Sequence, residues 1–419
     1  MNKSHKKTIS EALGRHPVHP FPARMAPGIA LDIVSKARPD IRILDPMMGS
    51  GTVLALARSN GHHSFGFDID PLAVLITKVW TTPIDCKKAR VQALNVLTRA
   101  RRVHKHMSLA DAYPRNADRE TRNFIRYWFD KSARRQLAAL ARVINRTHDK
   151  AVRDVLWCAF SRLIITKQAG ASLAMDLAHS RPHKSFDVAP IKPFRKFVDA
   201  VDRVLENCIA VHAKSRGPKS RVKCGDARNL DVRSDSVDLV LTSPPYLNAI
   251  DYMRCSKFSL IWMGHTIAEL RDVRSHSVGS EVGKNTDSDG IAERIFRKLK
   301  LDPQLSNRHR AILARFIHDM RQAIDEVARV LVPGGKAVYV IGENTISGTY
   351  IRNSDIICAL AKSAGLRFKG RKTRNLPPNR RYLPPPSRKT KAMHLDTRMR
   401  REVIIAFRKP KHWSKRKVV

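Results

Sequence analysis

Between residues 41 and 68, two short apolar runs, Ile41-Arg-Ile-Leu-Asp45 and Ser64-Phe-Gly-Phe-Asp68, bracket a glycine-bearing turn and a helix-patterned stretch from Gly51 to Ser59. A strand, a turn, a helix and a second strand within about 30 residues form a βαβ unit, and hence a parallel sheet. The turn is Asp45-Pro-Met-Met-Gly-Ser-Gly-Thr52. Glycines directly after a strand let the backbone approach a ligand closely, and the next helix offers free N–H groups. The second run ends in Asp68, and an acid at that strand end is placed to grip a ribose diol. The glycine spacing is not the dinucleotide fingerprint GxGxxG. Asp70 is the competing acid; it precedes Pro71 and reads as a helix cap.

The chain has 419 residues, of which 42% are apolar, enough to build a core and exclude wholesale disorder. It carries 79 Lys and Arg against 37 Asp and Glu, a formal charge of +42. That charge is concentrated. Residues 86–223 hold 31 basic and 11 acidic residues, and residues 367–419 hold 19 and 2. A charge so large and so segregated implies a polyanionic partner, most simply nucleic acid. No apolar run is long enough to span a membrane, and the N-terminal residues have no apolar signal-peptide core. Six cysteines without a CxxC pair argue against a disulfide scaffold and a structural zinc site, so no metal is expected and the compartment is read as cytosolic and reducing.

Periodicity extends the α/β reading. Ala30 to Ala37 is a helix closed by Pro39. Residues 86–221 break the rhythm: apolar residues at helical spacing from Arg122 to Ile164 predict a largely helical insertion with basic outer faces. The sheet resumes with Arg221–Cys224 and Val237–Thr242. Residues 265–310 are polar and weakly patterned, and read as a loop or small variable subdomain. Ala311–Leu331 is a long amphipathic helix, Pro333-Gly-Gly335 turns into a strand from Lys336 to Ile341, and Ile356–Ala364 is a helix stopped by Gly365. Glu402–Phe407 is a final strand.

Directly after the apolar strand at 237–242 stands Ser243-Pro244-Pro245-Tyr246. Two prolines stiffen the chain and both lack an N–H, leaving the flanking carbonyls free to accept from an external donor. A hydroxyl before them and an aromatic ring after them suit a planar group bearing an NH2.

Together these motifs resemble the S-adenosylmethionine-dependent DNA amino-methyltransferases, the N4-cytosine/N6-adenine DNA methylase family of the Ser-Pro-Pro-Tyr type. The resemblance covers about residues 16–85, 222–254 and 313–408. It implies a Rossmann-like methyltransferase fold, α/β with a mostly parallel sheet, an antiparallel last strand and, here, a helical insertion. It divides the chain into a first half of the methyltransferase domain at 1–85, the basic insertion at 86–221, a catalytic-motif segment at 222–254, a variable region at 255–312, a second half at 313–411 and a basic tail at 412–419. For S-adenosylmethionine it implies contacts from Asp45, Pro46, Gly49, Gly51 and Thr52, from Asp68, from Asp226 near the adenine, and from Phe21 near the methionine end. Ser243, Pro244, Pro245 and Tyr246 are the implied catalytic set, and Asn379–Pro384 resembles the family's closing hairpin.

The implied reaction is direct attack of an exocyclic amine on the cofactor methyl, with the base flipped out of duplex DNA. Ser before Pro-Pro leans to the N4 amine of cytosine; the alternatives are adenine N6 and, in another substrate class, guanine N2 of RNA. A cognate restriction endonuclease is the expected partner and the nucleoid of a prokaryote the expected location. Either 86–221 or 255–312 reads the DNA sequence. His62-His63 reads as a solvent-exposed pair in a turn, and Tyr127, Trp128 and Trp157 read as core. Arg24, Arg181 and Lys184 are further candidates for touching phosphate or the cofactor carboxylate.

Overall fold

The computed structural model describes residues 7–21, 25–178, 182–211, 217–245, 253–280, 290–299, 305–346, 349–375 and 401–412. The N-terminal half of the sheet forms as the sequence dictates. Helix α1 (Pro27–Ser35) starts on a proline, whose missing N–H costs nothing at that position. Strand β1 (Arg42–Asp45) leads into α2 (Thr52–Ser59), which returns to β2 (His63–Asp68). Helix α3 (Pro71–Thr81) follows, capped by the Asp70 carboxylate, which accepts from the Leu72 N–H at 2.8 Å.

Five helices then leave the sheet: α4 (Cys86–Lys105), α5 (Arg119–Trp128), α6 (Lys131–Ile144), α7 (Lys150–Ile164) and α8 (Pro193–Leu205). Asp85, Asp118, Asp130 and Asp149 cap the first four of these by accepting from backbone N–H groups. Their buried faces share one core with α3, where Trp80 and Ile76 meet Leu137, Phe160 and Phe197. The insertion is thereby fused to the sheet domain through α3.

The chain re-enters the sheet as β3 (Ser220–Cys224) and β4 (Val237–Thr242). Helices α9 (Met253–Leu260), α10 (Ile267–His276), α11 (Ile291–Leu299) and α12 (Asn307–Val330) precede β5 (Leu331–Gly342). Helix α13 (Asn353–Ser363) and strands β6 (Arg367–Asn375) and β7 (Arg401–Arg408) complete the main sheet. Its order is β6-β7-β5-β4-β1-β2-β3. β1 pairs in parallel with β2 and β4, β4 with β5 and β2 with β3, whereas β7 is antiparallel to both neighbours. This is a Rossmann-like architecture, with an antiparallel strand, β7, inserted between β5 and β6. Alternate residues feed the two faces. Leu44, Val240 and Tyr339 pack toward α12 and α13, while Ile43, Leu239 and Val338 pack toward α1 and α2.

Three readings from sequence are corrected, and one strand that the sequence did not suggest is added. The 265–310 stretch holds α10 and α11, not only loop. A capping box of Thr266 and Glu269 starts α10, and α11 buries Ile291, Ala292, Ile295 and Phe296, a one-sided stripe too short to stand out in polar surroundings. Strand β6 carried no apolar alternation because it is an exposed edge held by its backbone ladder to β7. His62 is buried: its Nδ1 accepts from the Ile41 N–H at 3.4 Å, and its Nε2 donates to the Val34 carbonyl at 3.2 Å. His63 stands on β2 with its ring 3.5 Å from Asp40. Trp157 is core, but Trp128 is only half-buried and Tyr127 is 57% exposed. Among the described residues no helix is long and apolar enough to cross a membrane.

Candidate active site

The order of strands reverses at β1, with β2 on one side and β4 on the other. In open α/β sheets a crevice opens outside the carboxyl ends of the strands at such a point. The register sets what lines it. Asp45 closes β1 opposite Gly66 of β2, and Leu44 lies opposite Val240, so Thr242 and Ser243 emerge beside the Asp45 turn.

Asp45 is 2% exposed, and its Oδ1 accepts from the Thr242 hydroxyl at 2.7 Å and the Met47 N–H at 3.2 Å. Burial pushes its carboxyl up to about 7, with the nearby charge of Asp68 adding to the shift. The first bond fastens the glycine turn after β1 to the strand that delivers Ser243. Pro46 is buried beside it.

The turn is then hooked onto β2. The Met48 N–H donates to the Phe67 carbonyl at 3.0 Å, and the Gly49 N–H donates to Asp68 Oδ2 at 2.8 Å. Gly49 and Gly51 have φ of +50° and +81°. At Gly51 a Cβ would also lie 2.5 Å from a Thr77 methyl, so the left-handed backbone and the close approach both require glycine. Thr77 holds the turn from below by donating to the Gly49 carbonyl at 3.1 Å.

Helix α2 begins at Thr52 with no side-chain cap, and its first N–H groups face the turn. The buried Thr52 hydroxyl has no partner. An uncapped helix start and an orphaned hydroxyl behind a glycine turn fit a ligand that brings hydrogen-bonding groups of its own.

Two acids share the neighbouring strand end. Asp68 Oδ1 accepts from the Asp70 N–H at 2.9 Å, which with the Gly49 bond occupies one site on each carboxylate oxygen and leaves others for a diol. Burial raises the Asp68 carboxyl above its usual range. Asp70 caps α3 as expected, and its Oδ2 also accepts from the Ser256 hydroxyl of α9 at 2.6 Å. Burial and the Asp68 charge push Asp70 up to about 7.

Asp226 follows β3, next to β2. It is held by Arg228, whose Nε and Nη2 donate at 3.0 and 2.6 Å, while Nη1 reaches Asp319 at 2.6 Å. Phe21 is 2% exposed and packs in the core that α3 shares with the insertion. Nearby, His19 Nε2 lies 2.9 Å from the Ser161 hydroxyl of α7, and that hydroxyl donates to Ser259 of α9 at 2.9 Å.

The structure thus brings Asp45, Pro46, Gly49, Gly51, Thr52, Asp68 and Ser243 to one edge. Pro244 is buried and Pro245 half-buried at the end of β4. Tyr246, Arg24, Arg181 and Asn379–Pro384 lie outside the described residues. Lys184 is exposed and sits with Nζ 5.8 Å over the Tyr127 ring, engaged with that aromatic ring. Sequence reasoning missed Thr242, Arg228, Asp319 and Ser256. Thr242 could have been found as the hydroxyl before Ser243; the others are joined only by the tertiary fold.

No family model matches the chain. It is similar to the Type II methyltransferase M.MvaI of Kocuria varians, 23% identical over 374 residues that cover 83% of this chain and 81% of that protein. It is also similar to the Type II methyltransferase M.MjaII of Methanocaldococcus jannaschii, 23% identical over 150 residues, 35% of this chain and 28% of that protein. Among solved structures, the TehB-like SAM-dependent methyltransferase of Corynebacterium glutamicum overlays 91% of this chain and 86% of its own, at 10% identity and a TM-score of 0.29.

Proposed function

We propose that this chain is an S-adenosylmethionine-dependent DNA methyltransferase that modifies the exocyclic N4 amine of cytosine in a base withdrawn from the duplex. The observation that carries the reading is the Asp45–Thr242 hydrogen bond, which locks a cofactor-type glycine turn to the strand presenting Ser-Pro-Pro. Similarity to a Type II methyltransferase over most of both chains supports it, as does the strong positive charge.

When bound, S-adenosylmethionine supplies a methyl group on a positively charged sulfur, already activated toward attack. Asp68 would hold the ribose hydroxyls, Asp226 would meet the adenine amine, Phe21 would cover the methionine end, and the backbone of Gly49 to Thr52 would let the cofactor lie close. The Ser243 hydroxyl and the Pro244 carbonyl would accept from the two N–H groups of the target amine and keep its lone pair on nitrogen; as the new N–C bond forms the sulfur–methyl bond breaks, the neutral thioether departs and the surplus amine proton passes to solvent. Pro245 stiffens the chain that carries them, and Tyr246 stacks on the base. Acceleration comes from alignment of amine and methyl and from acceptors fixed before reaction. The choice of cytosine N4 over adenine N6 follows the resemblance, in which serine before Pro-Pro leans to cytosine; serine accepts a hydrogen bond without adding charge to the pocket. A cognate endonuclease for the same sequence is the matching partner.

Ser243→Ala should lower the turnover rate by roughly 10- to 1,000-fold, the usual effect of removing one oriented hydrogen-bonding group. Cofactor affinity by calorimetry should be unchanged. Full turnover in that variant would remove Ser243 from the mechanism.

A further inference from the structure

Helix α5 has two unlike faces. Thr121 and Ile125 are buried, and Phe124 and Trp128 are half-buried. Arg119, Arg122, Asn123, Arg126 and Tyr127 are all exposed, at the spacing of one helical stripe. A tyrosine at 57% exposure among arginines is not explained by the core.

Tyr127 ends a chain of ring contacts that runs back toward the active site. Its ring meets Trp128 edge-on at 4.9 Å, and Trp128 meets Phe258 of α9 at 5.0 Å. Phe258 is fully buried and also receives Phe124 at 5.1 Å. Two residues before it, Ser256 is bonded to Asp70 in the site. Positions two apart lie on opposite sides of a helix, so α9 is wedged between the acid cluster and the aromatic row. A helix about 10 Å across plus two ring steps of about 5 Å puts Tyr127 some ~20 Å from the acids, within one turn of duplex DNA.

The charges match a polyanion. Lys184 Nζ lies 5.8 Å over the Tyr127 ring and Lys257 Nζ 5.1 Å over Phe124. The acids on and beside α5 are committed elsewhere: Asp118 and Asp130 cap helices, and Glu120 pairs with Arg271.

We propose that this aromatic and cationic ledge, Tyr127 on α5 with Lys184 beside it, grips the DNA strand flanking the withdrawn base. The tyrosine stacks on a base or sugar of that strand, and the lysine and the α5 arginines pair with phosphates. Such stacking tolerates any sequence, so the ledge supplies affinity near the site and not sequence choice. The proposal rests on the DNA reading above and names the surface that serves it.

The test measures binding of linear duplex plasmid DNA to the full chain at fixed salt. Tyr127→Ala should weaken binding roughly 5- to 150-fold, the range for loss of one aromatic stack. Tyr127→Phe should bind as wild type, and Lys184→Ala should flatten the log-affinity against log-salt slope by about one unit. Cofactor affinity by calorimetry should stay unchanged in all three. Unchanged DNA binding in Tyr127→Ala while the wild type binds duplex would overturn the ledge and leave the DNA reading standing. A wild type that binds no duplex would sink both. A Tyr127→Ala variant that only dissociates a dimer would assign the patch to a second copy of this chain.

Discussion

Asp68 is the most direct probe of the proposed cofactor site at the scale of single residues. Its two oxygens accept from the Gly49 and Asp70 N–H groups at the end of β2. Asp68→Ala should weaken S-adenosylmethionine binding by about 1.5–3 kcal/mol, the range for hydrogen bonds to a charged group. Unchanged affinity by calorimetry would mean that another group holds the ribose. The neighbouring carboxyls add a pH signature. Burial pushes Asp45 and Asp70 up to about 7, against about 3.9 in an unfolded chain. Between about pH 4 and 7 the folded protein therefore holds protons that the unfolded chain has released. Stability should fall as pH rises through that window and level off above it. Melting temperatures of the cofactor-free protein should show that decline, and Asp70→Asn should make it shallower. A variant with the wild-type slope would place the titration elsewhere. Asp45, Gly49, Gly51 and Asp68 were legible in the sequence because strand ends and glycine geometry leave few options. Arg228 was not, because its partners Asp226 and Asp319 meet only when α12 packs against the loop after β3.

Among the elements, α9 links the two halves of the chemistry. It begins just beyond the segment that follows Ser-Pro-Pro, and its Ser256 donates to Asp70 at the cofactor edge. Ser256→Ala should loosen that tie. The turnover rate is expected to fall several-fold at saturating cofactor, with a smaller change in cofactor KM, because α9 follows the segment proposed to hold the target base. A change confined to cofactor KM would show that Ser256 acts only through the Asp68–Asp70 loop. Nothing in the sequence marks this serine. The βαβ unit and the long helix α12 were readable because each buries a regular stripe. Strand β6 was not, since an edge strand rich in Lys and Arg shows no alternation, and its order comes from pairing with β7. His62 misled for a similar reason. A histidine in a turn looks solvent-exposed until α1 and β1 supply partners for both ring nitrogens.

At the scale of the whole molecule, the near-neutral segments 1–85 and 224–366 carry the cofactor-type edge, and the cationic helices of the insertion share a core with α3. The insertion's helical character followed from spacing and its charge from composition. That it docks through α3 and α9, and so sits beside the site, came only from the fold. The central claim is the transfer of a methyl group to the N4 amine of cytosine in DNA. It is tested most directly by incubating the protein with duplex DNA and methyl-labelled S-adenosylmethionine, digesting the DNA to nucleosides and identifying the labelled product by mass spectrometry. The account predicts that the label appears in N4-methylcytosine. Label in N6-methyladenine would contradict the base assignment, and label only in RNA, as N2-methylguanosine, would contradict the substrate class.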